Sequence, residues 1–218
     1  MRKYDLHIHS TYSPCSIIQP ITILKRAKKA GLDGIAVTDH NTIKGSIETR
    51  KLNKDKGFEV ITASEVRTDK GDILALYIQE DIKNTEIMEC IDEIKAQGGI
   101  IVIAHPFRNI PWLRFNYPIK KIKNKIDAVE TFNSRNILFG NKKAEKTADS
   151  LNIAKIGASD AHIPLDIGKG YTVFESDLRK AIKERATMPK GTSRYGLLSG
   201  IVSSANKRIL YPLKVKKK

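Results

Sequence analysis

Cysteine is almost missing from this chain: Cys15 and Cys90 are the only two in 218 residues. That excludes a disulfide framework and fits a reducing, cytoplasmic setting. Long apolar runs are missing too. The longest, such as Ile100–Ala104, are far short of the ~20 residues that cross a bilayer. The opening MRKYDLHIHS has no apolar core of the kind a signal peptide needs. Glycine and proline number 14 and 8, neither enriched nor clustered, which excludes collagenous and low-complexity classes. No internal repeat is visible beyond an alternation of short apolar runs with helical stretches.

Acids are scarce at one end only. From Leu178 to Lys218 there are twelve Lys or Arg and one acid, Glu184, while the other 177 residues carry a net charge of only +4. The formal +15 of the chain therefore belongs mainly to its C-terminal segment. A basic segment of this kind suits an anionic partner, nucleic acid or a lipid surface, or is a solvated tail that aids solubility. The composition changes near Pro189, dividing the chain into a domain over 1–188 and a basic segment over 189–218.

Strands are expected at 4–9, 34–40, 58–65, 72–78, 99–105, 127–133, 154–162 and 171–175. These runs are rich in Val and Ile and mostly continuous, as strands buried on both faces should be. Helices are expected between them at 20–31, 84–99, 140–152 and 176–186, with Asn84 as an N-cap. The alternation argues for βα units around a parallel sheet or barrel.

Histidine is the scarce residue that is not scattered. There are five, and His7, His9, His40, His105 and His162 all fall at the C-terminal ends of expected strands. Asp39, Glu65, Glu130 and Asp160 fall there as well. In parallel α/β architectures those ends open on one face, the face that hosts the active site. Imidazoles with a few carboxylates suit Zn, Mn or Fe. At strand period, His7 and His9 point to the same side, and Asp160 and His162 repeat the device. Ligands dispersed along the whole chain suggest a catalytic centre with more than one ion.

The motifs DLHIHS, TDHNT, SE, AHP and SDAH, in this order, resemble those of the PHP (polymerase and histidinol phosphatase) superfamily, over about 5–175. Within it the chain is most similar to short, stand-alone archaeal and bacterial PHP proteins. The resemblance implies a distorted (β/α)7 barrel with two or three divalent metal ions at the C-terminal ends of its strands, and phosphoester hydrolysis. His7, His9 and Asp160 would hold the first metal. Glu65 would bridge to a second, also held by His105, and His40 and His162 would serve a third position. Asp39 would orient His40. Pro14 stands where many members have an Asp or His, and no histidine occurs from 41 to 104. Cys15, one residue from the vacant position, is a candidate thiolate replacement or a small residue buried beneath the loop. Glu130 is a candidate ligand or orienting group.

The mechanism so implied uses two metals about 3.5–4 Å apart, with attack by metal-bound hydroxide. His162 or His40 would protonate the leaving group. Arg108 and Arg135 are the expected phosphate contacts, with Lys169 a third candidate. Phe107, Trp112 and Phe115 lie beside the site and either stack on a base or pack on the barrel. The spacing of Ile119, Ile122 and Ile126 predicts an amphipathic helix. The segment 195–211 has helical spacing and docks on the barrel, lies on a membrane or contacts nucleic acid. Three functions follow in order: a metal-dependent phosphoesterase for a small metabolite or nucleotide, a nuclease or RNA-processing factor recruited by the basic tail, and a non-catalytic binding subunit.

Overall fold

A computed structural model describes residues 1–110, 114–136, 139–193, 203–206 and 208. Among the described residues, nine strands form one sheet: β1 (Arg2–Ile8), β2 (Gly34–Val37), β3 (Glu59–Thr68), β4 (Gly71–Leu76), β5 (Ile100–Ile103), β6 (Ala128–Asn133), β7 (Ala154–Ala158), β8 (Gly170–Phe174) and β9 (Met188–Gly191). They are accompanied by the helices α1 (Pro20–Lys29), α2 (Lys44–Leu52), α3 (Ile87–Ala96), α4 (Ile119–Ile122), α5 (Gly140–Leu151) and α6 (Leu178–Lys183). The strand order is β7-β6-β5-β4-β3-β2-β1-β8-β9. The sheet curls until its ends meet. The first half of β1 pairs with β8, but its last residue, Ile8, bridges in parallel to Ala161 just beyond β7. The His9 amide donates to the Ala161 carbonyl at 2.9 Å. The result is a nearly closed, distorted α/β barrel.

The barrel is not wholly parallel. β4 runs antiparallel to both β3 and β5. The sequence TDKGD at the turn leaves only Asp69 and Lys70 between the paired Thr68 and Gly71, and Gly71 has a φ of 126°. Two residues suffice for a hairpin but not for a crossover to a parallel neighbour. β8 and β9 are a second antiparallel addition, and β9 runs across the boundary between residues 188 and 189.

Several boundaries differ from the sequence expectations. α3 starts later than 84 because the Glu86 carboxylate, not Asn84, caps it by accepting from the Met88 and Glu89 amides. Asp177 caps α6 in the same way, through the Lys180 amide. α4 is a single turn, though Ile119, Ile122 and Ile126 are all buried as their spacing predicts. α2 was not expected, since its sequence KGSIETRKL has little apolar periodicity. Trp112 and most of 189–218 lie outside the described residues.

One apolar cluster takes Tyr4 and Leu6 from β1 together with Ala36, Ile61, Leu74, Val102, Ala128, Ile156 and Phe174, and the α6 residues Leu178, Ala181 and Ile182 pack against it. These residues fill the barrel, and α6 closes the mouth where the parallel strands begin. The opposite mouth is therefore left for polar chemistry. A bulge in β1 makes this division possible. Its pairing with β2 slips between Asp5 and Ile8. The slip lets Tyr4 and Leu6 face the apolar interior while His7 and His9 also face inward above them.

Candidate metal centre

His7 and His9 leave the end of β1, and the loops after β2, β5 and β7 deliver His40, His105 and the pair Asp160 and His162. Glu65 comes from within the long β3. His7, His9, Glu65, His105, Asp160 and His162 are each 5% exposed or less. Around one point, His7 Nε2 and His9 Nε2 are 3.2 Å apart. Asp160 Oδ1 is 3.6 and 3.5 Å from them. Glu65 Oε1 is 3.5 Å from His7 and Glu65 Oε2 is 3.2 Å from His9. Four donors bound at about 2.1 Å in a tetrahedron are separated by about 3.4 Å. Glu65 then reaches outward with both oxygens: Oε1 lies 3.0 Å from His105 Nε2, and Oε2 lies 3.0 Å from His40 Nδ1.

The surrounding hydrogen bonds decide which nitrogens face this point. Glu130 Oε1 is 3.0 Å from His7 Nδ1, and the carboxylate accepts the proton there. Ser13 Oγ donates to Asp39 Oδ1 at 2.7 Å, so its lone pairs accept from His9 Nδ1 and from the His40 amide, at 3.2 and 3.0 Å. Both rings thus carry their proton on Nδ1 and turn their Nε2 lone pairs on each other. Two lone pairs 3.2 Å apart repel unless a cation or a proton lies between them. In addition, His105 Nδ1 is buried without a hydrogen-bond partner among the described residues, and His40 Nδ1 and Glu65 Oε2 have no partner beyond each other and His9. A buried polar atom without a partner costs about 1–3 kcal/mol, and bound cations would relieve several at once. The residues fit a metal centre.

Electrostatics agree. Burial alone would lower the His7 pKa, but Asp160, Glu65 and Glu130 outweigh it and hold the ring well above the ordinary value. Burial would raise Glu65 and Asp160, yet both are held well below the carboxylate range, Glu65 by His40 and His7 and Asp160 by His7 and Arg135. His40 is pushed down to about 4, chiefly by burial. Burial and then Arg135 hold His162 well below its ordinary value. Both of these rings are neutral at pH 7, the form that binds metals.

Glu130 occupies the position of an orienting group. Besides holding His7, its Oε2 accepts from the His105 amide at 2.7 Å and from Asn133 Nδ2 at 3.0 Å. Asp39 differs from the expectation: its oxygens accept from Ser10 and Ser13, not from the His40 ring. It therefore steadies His9 through Ser13. Cys15 is buried, its thiol pushed up to about 12 by burial, with Sγ within 4.8 Å of donor atoms of His9 and His40. Arg108 Nη1 donates to Asp160 Oδ2 at 3.1 Å. His162 Nδ1 lies 2.8 Å from the Asp160 carbonyl and 2.6 Å from Arg135 Nη1, which is 3.0 Å from the ring's Nε2. Phe107 lies beneath Lys143, whose Nζ is 4.6 Å from the ring centroid. Phe115 is buried in the core.

Three residues at the site were not anticipated. Asp72 groups with Glu65 and His105, its carboxyl raised to about 6 by burial and then by Glu65. It begins β4, and in a parallel strand that end would lie at the far mouth. Recognising the TDKGD hairpin would have placed it here. Arg67, on β3, donates from Nη2 to His40 Nε2 at 3.1 Å. Asp166 accepts from the amides of His162 and Ile163 at 3.1 and 3.3 Å, holding the loop after β7. The backbone is strained where ligands emerge, since His105 and Asp160 have φ of 27° and 54°, a region non-glycine residues rarely adopt.

Known proteins match in both sequence and fold. A family model described as PHP-associated matches residues 140–187. An uncharacterized protein of Methanocaldococcus jannaschii is 41% identical over 148 residues, 61% of this chain and 82% of that protein. A 5'-3' exoribonuclease of Haemophilus influenzae is 40% identical over 67 residues, 31% of this chain and 24% of the enzyme. In structure the chain is similar to a two-domain protein of Bacteroides vulgatus containing a predicted PHP-like metal-dependent phosphoesterase. The TM-score is 0.75 at 21% identity over 88% of this chain, and the match spans 65% of the Bacteroides protein. With the expected motifs converging on one barrel mouth, the chain shares the fold of that PHP-like protein and carries a PHP-associated segment over 140–187.

Proposed function

We propose that this chain is a metal-dependent phosphoesterase acting on phosphate esters of a small metabolite or nucleotide. The observation that carries the reading is the close approach of His7 Nε2 and His9 Nε2, 3.2 Å apart, within a buried set of carboxylates spaced as ligands. His7, His9, Glu65 and Asp160 would hold one ion. Glu65, His105 and Asp72 would hold a second, and His40, His162 and Cys15 border a third position. Two or three divalent ions of the Mn, Zn or Fe type suit this donor set. Bound there, they supply Lewis-acid activation of water and of the phosphate.

The chain's own groups do the rest. Arg108 and Arg135 approach Asp160 from one side and Arg67 lies on the other, beside His40, so that cationic groups flank the phosphate position. Guanidinium is suited to this task because it binds phosphate oxygens in pairs. Neutral His40 and His162 serve better as ligands than as proton donors to the leaving group. Among the described residues, no helix is long and apolar enough to cross a membrane.

The test combines elemental analysis with hydrolysis of p-nitrophenyl phosphate and nucleoside monophosphates, in the parent chain and in Asp160→Asn and His9→Ala. The expected result is two or three ions per chain, fewer in the variants, with hydrolysis lost by at least ~10²-fold while the fold is kept. Absence of bound ions after Mn or Zn addition would refute the reading. A nuclease role is the second reading, favoured by the segment shared with the exoribonuclease. Faster release of nucleotides from 5'-phosphorylated RNA than from p-nitrophenyl phosphate would select it.

A further inference from the structure

The C-terminal segment returns to this mouth of the barrel. Ser203 and Asn206 are buried, 7% and 2% exposed. Asn206 Nδ2 donates to the carbonyls of Pro14 and Ser16 at 2.9 and 3.0 Å. These carbonyls flank Cys15, so one amide group grips the loop on both sides of the thiol. Both acceptors are carbonyl oxygens, so only the NH2 end of the side chain satisfies them. One turn away, Ser203 Oγ accepts from Arg135 Nη2 at 2.9 Å. The other terminal nitrogen of Arg135 lies 2.6 Å from His162 Nδ1 and 3.5 Å from Asp160 Oδ1. The segment thus contacts two parts of the site that lie far apart in sequence, the Cys15 loop and the Arg135 guanidinium.

We propose that the segment bearing Ser203 and Asn206 is a strap that completes the site, Asn206 positioning the Cys15 loop against His9 and His40 and Ser203 positioning Arg135 for an incoming phosphate. The second half rests on the phosphoesterase reading; the first does not. The loop after β1 is tied by Ser10 and Ser13 to Asp39, and by the Thr11 amide to the Ile18 carbonyl and the Ile17 amide to the His162 carbonyl, at 2.9 and 3.3 Å. Its own turn bonds are the Ser13 amide to the Ser10 carbonyl and the Ser16 amide to the Ser13 carbonyl, at 2.9 and 3.1 Å, while the bonds to the carbonyls on either side of Cys15 come from Asn206. Ser16 Oγ also donates to the His9 carbonyl at 2.8 Å. Cys15 itself sits at the crest of this turn, where the Asn206 clamp closes over it.

The experiment uses the full chain treated with a chelator and labelled with iodoacetamide, with each cysteine followed by mass spectrometry. Asn206→Asp keeps the shape but replaces the donor with an acceptor facing two carbonyls, and Asn206→Ala removes the group altogether. Both should expose Cys15 to labelling at least about tenfold faster than in the parent chain, the effect of losing one net hydrogen bond on local opening. Cys90, on the buried face of α3, should label at the parent rate. Ser203→Ala should leave Cys15 labelling unchanged but weaken calorimetric binding of inorganic phosphate to the metal-loaded protein about three- to tenfold. It should raise KM for the ester more than it lowers kcat.

Unchanged Cys15 labelling in both Asn206 variants would overturn the loop half of the proposal. So would acceleration of Cys15 and Cys90 together, which reports general loosening. Unchanged phosphate binding in Ser203→Ala would overturn the Arg135 half. If the parent chain binds no metal and cleaves no ester, the phosphoesterase reading fails together with the Arg135 half, and the labelling contrast still decides the Asn206 clamp.

Discussion

Replacing Glu130 by Gln preserves shape and removes one charge from the most enclosed part of the site. Glu130 is fully buried. It faces three donors, His7 Nδ1 at 3.0 Å, the His105 amide at 2.7 Å and Asn133 Nδ2 at 3.0 Å. A glutamine can accept on one side only. With its oxygen toward His7, its NH2 opposes the His105 and Asn133 donors. With its oxygen toward them, its NH2 faces His7 Nδ1 and drives the ring proton to Nε2, the nitrogen a metal needs. Either way at least one bond to a charged acceptor is lost, each worth about 1.5–3 kcal/mol. The metal-free protein should lose about 2–4 kcal/mol of stability by that reasoning, read from chemical denaturation. Zinc affinity, measured by competition with a chromophoric chelator, should fall roughly 10–100-fold, the usual consequence of removing a partner that orients a ligand. Affinity within about twofold of the parent would refute the orienting role. A loss above about 10³-fold would mean that Glu130 binds the metal directly.

Metal addition should stabilise the chain because the ions bind only the folded site: at 100 times Kd the gain is about 2.7 kcal/mol, a rise in Tm of roughly 5–10 °C for a chain of this size. Calorimetry with and without chelator checks this, and an unchanged Tm would refute it. The metal-free protein should also be acid-sensitive in a defined window. The His40 pKa is lowered from 6.5 to about 4 by burial, so the unfolded chain binds the extra proton first. Its contribution is present above pH 6.5 and is lost as pH falls toward 4, a change on the order of 2–3 kcal/mol. His40→Gln should flatten that part of the stability profile, and an unchanged slope would disprove the assignment. Gly45→Ala should destabilise by about 1–3 kcal/mol, because a Cβ there would run into Asp39 Oδ2 and Ser10 Oγ. If its zinc affinity is also unchanged, Asp39 does not steady His9.

Most of the candidate metal-binding side chains were legible in the sequence because scarcity makes position informative. Five histidines at four strand ends need no knowledge of tertiary contacts to be grouped, since parallel strands deliver their C-terminal ends to one mouth. What misled was direction. Asp72 was invisible because β4 was expected to run with its neighbours, and one two-residue hairpin reverses which end of that strand meets Glu65. The role of Asp39 was likewise misjudged, since adjacency to His40 in sequence counted for less than the reach of Ser13 across from the first loop.

Composition and strand-end chemistry alone therefore determined the α/β alternation and most of the candidate ligands, because residue type and local period are properties of the chain itself. Tertiary structure alone decided which groups each imidazole faces, that Glu130 lies against His7 and the His105 amide, and that Asn206 grips the loop around Cys15. Those depend on angles and distances between side chains up to 192 residues apart. No local pattern carries that information; it exists only once the barrel has closed.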